Sequence, residues 1–153
     1  MVLDPCSGWG SRMIGCIAGG AERYVGFDTN RDLEPIYNKM ISELNLGEKA
    51  RMIMTDCTDV DYSLYDYDML LTSPPYYNTE VYAFSPIRSK EEWIDWYKTV
   101  ITKWWDGLRS GGVMALAIPF SVYYIAVQVA DAYRDWETLR PRSKGDQRQP
   151  HLS

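Results

Sequence analysis

The feature that most constrains the fold is an alternation: short apolar runs, each stopping near a polar residue, separated by segments with helical spacing. Met1 to Asp4 is such a run, ending in an acid and a proline. Arg23 to Asp28 is a second, and it also ends in an acid. Ala50 to Met54 is a third, followed closely by Asp56. Asp68 to Thr72 is a fourth, running into Ser73-Pro74-Pro75-Tyr76, and Val113 to Ile118 is a fifth. Short, near-continuous apolar runs are what strands buried on both faces require. Two consecutive prolines cannot donate to a ladder, so the chain must leave the sheet after the fourth run.

The intervening segments predict helices. Ser11 to Ala18 is closed by Gly19 and Gly20. In Asp32 to Leu44, the residues Leu33, Ile36, Tyr37, Met40, Ile41 and Leu44 recur on one helical face. Asn30 reads as the cap of that helix. Ser89 and Glu92 have capping-box spacing, ahead of a stripe from Trp93 through Trp96, Tyr97, Val100, Ile101, Trp104 and Trp105 to Leu108. Its tryptophans read as core-packing residues. Ser110-Gly111-Gly112 predicts a break, and Phe120 to Tyr133 a further helix. Asp59 to Asp68 is acidic and tyrosine-rich, a surface loop or a short helical turn. The expected fold class is therefore α/β: a Rossmann-like, doubly wound, mostly parallel sheet with helices on both faces. Such sheets bind ligands at the carboxyl ends of their strands, where Asp4, Asp28, Asp56 and Ser73 fall.

Composition narrows the class. The chain has 153 residues, the length of one domain. From Glu137 it turns basic and polar, with Arg140, Arg142, Lys144 and Arg148 among prolines, so a core over 1–136 and a flexible tail over 137–153 are expected. A net charge of −5 argues against strong autonomous binding to duplex DNA but permits contact with one extruded base. Cys6, Cys16 and Cys57 lack metal-ligand spacing and His151 is the single histidine, so no metal site is expected. Unpaired thiols fit a reduced, cytoplasmic setting. No apolar run approaches the roughly 20 residues that span a bilayer, so no membrane partner is expected.

Asp4-Pro5-Cys6-Ser7-Gly8-Trp9-Gly10 joins the first strand to the first helix. Its glycines allow close backbone approach to a ligand, but the G-x-G-x-x-G spacing of a dinucleotide turn is missing. An acid at the strand end would repel a pyrophosphate and suits a cationic or neutral polar ligand. The plain alternative is an ordinary strand-to-helix turn.

The pattern D-P-x-x-G-x-G resembles the first motif of class I S-adenosylmethionine-dependent methyltransferases. Thr72-Ser73-Pro74-Pro75-Tyr76 resembles the fourth motif, (Asp/Asn/Ser)-Pro-Pro-(Tyr/Phe/Trp), of members that methylate exocyclic amines of DNA bases. The resemblance implies S-adenosyl-L-methionine as cofactor. Its amino-acid end would lie against Asp4, Gly8 and Gly10, with Pro5, Cys6 and Ser7 lining the same pocket. Asp28 would accept from the ribose hydroxyls, and Asp56, with the Cys57 amide nearby, would meet the adenine amine. A helix cap for Asp28 and a solvated loop acid for Asp56 are the plain alternatives.

The resemblance also implies the chemistry. An amine conjugated with a base ring is a poor nucleophile because its lone pair is delocalised. Acceptors aimed at its N–H groups favour the pyramidal form, and the Ser73 hydroxyl and Pro74 carbonyl are the candidates. Pro74 and Pro75 hold them stiffly in place. The methyl group then moves by in-line displacement. A base in a duplex must be flipped out to reach such a site, and Tyr76 would stack on it. Tyr77, Asn78 and Tyr82 either line that pocket or belong to a tyrosine-rich loop. A serine at the first motif position leans toward cytosine N4 over adenine N6.

The resemblance covers roughly Met1 to Ile118. The family's sheet usually has seven strands, whereas five are legible here. The helical segment that precedes the first motif and a recognition domain after the core are missing from the pattern, so the chain reads as cut at both ends: a fragment, a minimal variant or half of a composite enzyme. An open sheet edge would suit a homo-oligomer or a partner subunit. Two other readings stand beside DNA methylation: the same chemistry on RNA or a protein amide, and a non-catalytic cofactor-binding partner.

Overall fold

The structure, a computed structural model, describes residues 1–77 and 89–139, the stretch 132–139 by its backbone alone. Asn78, Tyr82, Arg140, Arg142, Lys144, Arg148 and His151 lie outside the described residues, as does most of the expected tail.

The strands are β1 (Val2–Asp4), β2 (Tyr24–Asp28), β3 (Ala50–Met54), β4 (Tyr67–Thr72) and β5 (Leu108–Leu116). They form one sheet in the order β3-β2-β1-β4-β5, and every neighbouring pair is parallel. The helices are α1 (Ser11–Ala18), α2 (Glu34–Glu43), α3 (Lys90–Gly107) and α4 (Phe120–Leu139). Strand order reverses between β1 and β4, where the crevice of a doubly wound sheet opens.

Two apolar clusters cover the two faces, as the expected fold requires. On one, Leu3, Phe27, Tyr67 and Leu70 of the sheet pack with Tyr97, Val100, Ile101 and Trp104 of α3 and with Val122 and Ile125 of α4. On the other, Val2 and Tyr24 pack with Met13 of α1, and Met40 and Ile41 of α2 lie against them. The capping box at the start of α3 is complete: the Glu92 amide donates to the Ser89 hydroxyl at 3.2 Å, and the Ser89 amide to Glu92 Oε2 at 2.8 Å. Asn30 also caps as expected, accepting from the Asp32 amide at 3.1 Å, but the element it starts is a 3₁₀ turn (Arg31–Leu33) that leads into α2. Tyr62–Leu64, inside the tyrosine-rich stretch, is a second such turn.

Three boundaries differ from expectation. The strand β5 begins at Leu108, directly after α3, instead of at Val113. The Ser110-Gly111-Gly112 break sits within the strand, as an irregularity between the pairs Tyr67–Leu108 and Met69–Val113. Gly111 there has φ +81°, and a side chain on Gly112 would press on the carbonyls of Arg109 and Asp68, both 2.8 Å from a Cβ. The helix α4 runs to Leu139, past its expected end at Tyr133, because nothing directly after Tyr133 forces the backbone out of a helix. Among the described residues, no helix is long and apolar enough to cross a membrane.

Candidate active site

At the carboxyl ends of the strands lies a cleft. The loop after β1 supplies Pro5, Cys6 and Gly8; the ends of β2 and β3 supply Asp28, Thr29, Thr55, Asp56 and Cys57; the loop after β4 supplies Ser73 and Pro75. Trp96 of α3 closes one side.

Six of the nine residues expected to hold a cofactor line this cleft: Pro5, Cys6, Gly8, Asp28, Asp56 and Cys57. Asp4, Ser7 and Gly10 sit behind it and shape the loop. Asp4 is fully buried, and its carboxylate accepts from Arg12 Nε, the Tyr24 hydroxyl and the Thr72 hydroxyl, each at 2.7 Å. The Ser7 hydroxyl donates to the Asp4 carbonyl at 3.1 Å, and the Ser7 amide to the Phe27 carbonyl at 2.9 Å. Gly8 and Gly10 have φ of +57° and +82°, which lets the loop turn tightly into α1. Across from it, Gly26 of β2 makes room: a side chain there would collide with the Ser7 hydroxyl and the Met52 sulfur.

Asp28 braces the same loop. Its Oδ2 accepts from the Gly8 amide at 2.8 Å and its Oδ1 from the Asn30 amide at 2.9 Å. A carboxylate offers about four acceptor positions, so capacity remains for two further donors. The Tyr37 hydroxyl donates to the Gly8 carbonyl, and burial first, then the nearby Asp28, hold that phenol above its usual range. At Asp56, Oδ1 accepts from both the amide and the hydroxyl of Thr58 at 2.8 Å, and Oδ2 makes no hydrogen bond among the described residues. Cys6 and Cys57 both line the cleft. Their mutual hydrogen bond, followed by burial and the charges of Asp4 and Asp28, raises the Cys6 thiol well above its ordinary value. A raised thiol carries little thiolate, so Cys6 offers the cleft a polar surface rather than a nucleophile.

Of the four expected catalytic residues, Ser73 and Pro75 line the cleft, and Pro74 and Tyr76 stand beside it. The hydroxyls of Ser73 and Tyr76 both donate to the Ala117 carbonyl, at 3.2 and 3.3 Å, in the turn between β5 and α4. Ser73 thus donates to the protein, and its oxygen, also 3.3 Å from the Tyr76 hydroxyl, keeps capacity to accept. The buried Tyr97 hydroxyl donates to the Pro75 carbonyl at 3.1 Å, and reaches the Pro74 carbonyl at 3.5 Å. A carbonyl has two lone pairs, so Pro74 can still accept from a substrate.

Doubly wound parallel sheets with these crossovers have known relatives in three dimensions. The fold is that of class I methyltransferases. TrmN from Thermus thermophilus matches with a TM-score of 0.66 at 17% identity, over 84% of this chain and 35% of that one. An O-methyltransferase of a trans-AT PKS multienzyme from Brevibacillus brevis, in complex with S-adenosyl-L-homocysteine, matches at 0.57 and 18%, over 76% and 34%. An rRNA methylase from Streptococcus thermophilus matches at 0.53 and 15%, over 92% and 69%. This chain spans little more than a third of the length of the first solved structures it matches. No protein-family model matches it, and no curated protein matches it in sequence.

Sequence reasoning missed Trp96, Thr29 and Thr55 in the cleft, and Arg12 behind it. Periodicity places Trp96 on the stripe of α3, and the residue does pack edge-on against Tyr97 at 5.1 Å, but the same ring also reaches the cleft. Trp93 and Trp104 are buried core, as expected.

Proposed function

We propose that this chain is the catalytic core of an S-adenosylmethionine-dependent methyltransferase acting on the exocyclic amine of a DNA base, cytosine N4 in preference to adenine N6. The observation that carries this reading is the convergence of Asp28, Asp56 and Ser73 on one cleft. Asp28 has acceptor capacity left for two ribose hydroxyls. The unengaged Oδ2 of Asp56 suits an adenine amine. Gly8 lines the cleft with open space where a side chain would stand, and with Asp4 paired to Arg12, the amino-acid end of the cofactor would meet this loop rather than a free carboxylate. When bound, the cofactor supplies an electrophilic methyl group on a sulfonium.

The protein's own work lies at the acceptor. The Ser73 oxygen and the Pro74 carbonyl receive the N–H groups of a substrate amine, which localises its lone pair toward the methyl donor. The prolines fix the backbone of these acceptors in advance, so little ordering is left for the reaction itself. Tyr76 offers a ring beside them for a flipped base. The test is incubation of the folded protein with labelled cofactor and DNA, followed by nucleoside analysis. Label in N4-methylcytosine is expected; cofactor binding without label in any DNA base overturns the DNA assignment.

A second reading keeps the chemistry and changes the substrate to RNA. The similarity to a protein named as an rRNA methylase favours it. It predicts label in RNA and none in DNA in the same assay.

A further inference from the structure

We propose that Arg12 and Thr72 are positioning residues which, through Asp4, lock the glycine-bearing loop to the end of β4 and so set the cofactor against the acceptor amine. This rests on the methyltransferase reading above. Asp4, Arg12 and Thr72 come from three elements, β1, α1 and β4, and meet at the point where strand order reverses.

The bonding pattern shows what the cluster holds. Asp4 is fully buried and Arg12 grips it with two nitrogens, Nε at 2.7 Å and Nη2 at 3.3 Å. The same Nη2 donates to the carbonyl of Cys6. Thr72 donates to Asp4 at 2.7 Å and accepts from the Cys6 amide at 3.0 Å. Both backbone polar groups of Cys6 are therefore held by the cluster, and Cys6 lines the cleft. Thr72 is covalently joined to Ser73, the expected acceptor.

A buried ion pair is a weak source of stability, since desolvation offsets most of its attraction. Apolar side chains could fill the same space. What they could not do is fix the peptide of a cofactor loop and the last residue of the catalytic strand to a single carboxylate. The surroundings of the Asp4 carboxylate have the same meaning: it is held from α1, β2 and β4 and does not line the cleft.

The test uses the full chain and S-adenosylhomocysteine as probe, by calorimetry, together with the labelling rate of Cys6 by a maleimide, resolved from Cys16 by mass spectrometry. Thr72→Val and Arg12→Met are expected to weaken binding at least about tenfold, equivalent to about 1.4 kcal/mol. Thr72→Ser, which keeps the hydroxyl, restores affinity to within about twofold of wild type. Val100→Ala, a cavity in α3 that touches none of these bonds, costs stability and leaves affinity within about twofold. Cys6 labelling rises about tenfold in the first two variants, as loop opening exposes the thiol, while Cys16 is unchanged. Unchanged affinity in Thr72→Val, or an equal loss in Val100→Ala, overturns the proposal. A wild-type chain that fails to bind the probe overturns the cofactor reading instead; the lock is then judged on labelling alone, where a rise in Cys6 supports it and no change overturns it.

Discussion

The two loops that meet at the cleft are held by different means. The loop after β1 is anchored through its polar groups: the amides of Cys6, Ser7 and Gly8 all donate to groups on β4 or β2 at 2.8 to 3.0 Å. The loop after β4 has looser ties, with Ser73, Tyr76 and Tyr97 making contacts of 3.1 to 3.5 Å. Its order is written into covalent structure, since two prolines each fix φ and restrict the residue before them. In the proposed reading, the side that would grip a flexible, many-donored ligand is built from hydrogen bonds, and the side that would present two acceptors is built from a stiff chain.

This contrast can be broken by experiment. The largest effect is expected at Asp28→Ala, which removes the acceptor capacity and also leaves the Gly8 and Asn30 amides without their partner. Affinity for S-adenosylhomocysteine should fall about 100-fold, with far-ultraviolet circular dichroism unchanged. Retained affinity would show that the β2 acid only shapes the loop. Next comes Ser73→Ala, which should lower the rate of methyl transfer about 30-fold while probe affinity stays within about twofold, measured on one preparation. A parallel loss of affinity would erase the distinction between the two loops. The smallest effect is at Ser89→Ala, which removes the cap of α3. It should lower unfolding stability by about 1 kcal/mol in urea titration and leave both loops' functions intact. A change in rate would mean that α3, through Tyr97, sets the acceptor loop more directly than its bonds suggest.

Much of this arrangement was legible in the sequence, for a physical reason. A parallel sheet puts the residue after each strand at the same end, so Asp28, Asp56 and Ser73 could be placed together from alternation alone. Gly8 and Gly10 were readable because tight turns need positive φ. What escaped were relations across elements. Arg12 reads as an ordinary surface position of α1, and only the register of β1 against β4 brings Thr72 to the same carboxylate. Asp4, expected to face a ligand, is turned inward for that reason. Cys6 and Cys57 follow strands separated by β2, and no spacing announces that both line one cleft. Trp96 shows the limit of periodicity, which places a residue on a buried stripe without saying whether the stripe ends in core or in a cleft. The early start of β5 has the same origin: glycines signal a break, but a strand can absorb them as an irregularity when its neighbour keeps pairing.

The pairing of Asp4 with Arg12 has an electrostatic consequence. It leaves Asp28 and Asp56 as the two cleft carboxylates, with no ion-pair partner among the described residues. A cleft with that charge attracts a cation more strongly than a neutral molecule of the same shape. In the proposed reaction, methyl transfer from a sulfonium would remove one positive charge from the bound donor. The reactant would thus be held more firmly than the product, more so at low ionic strength, and departure of the spent cofactor would be favoured by the very step that spends it.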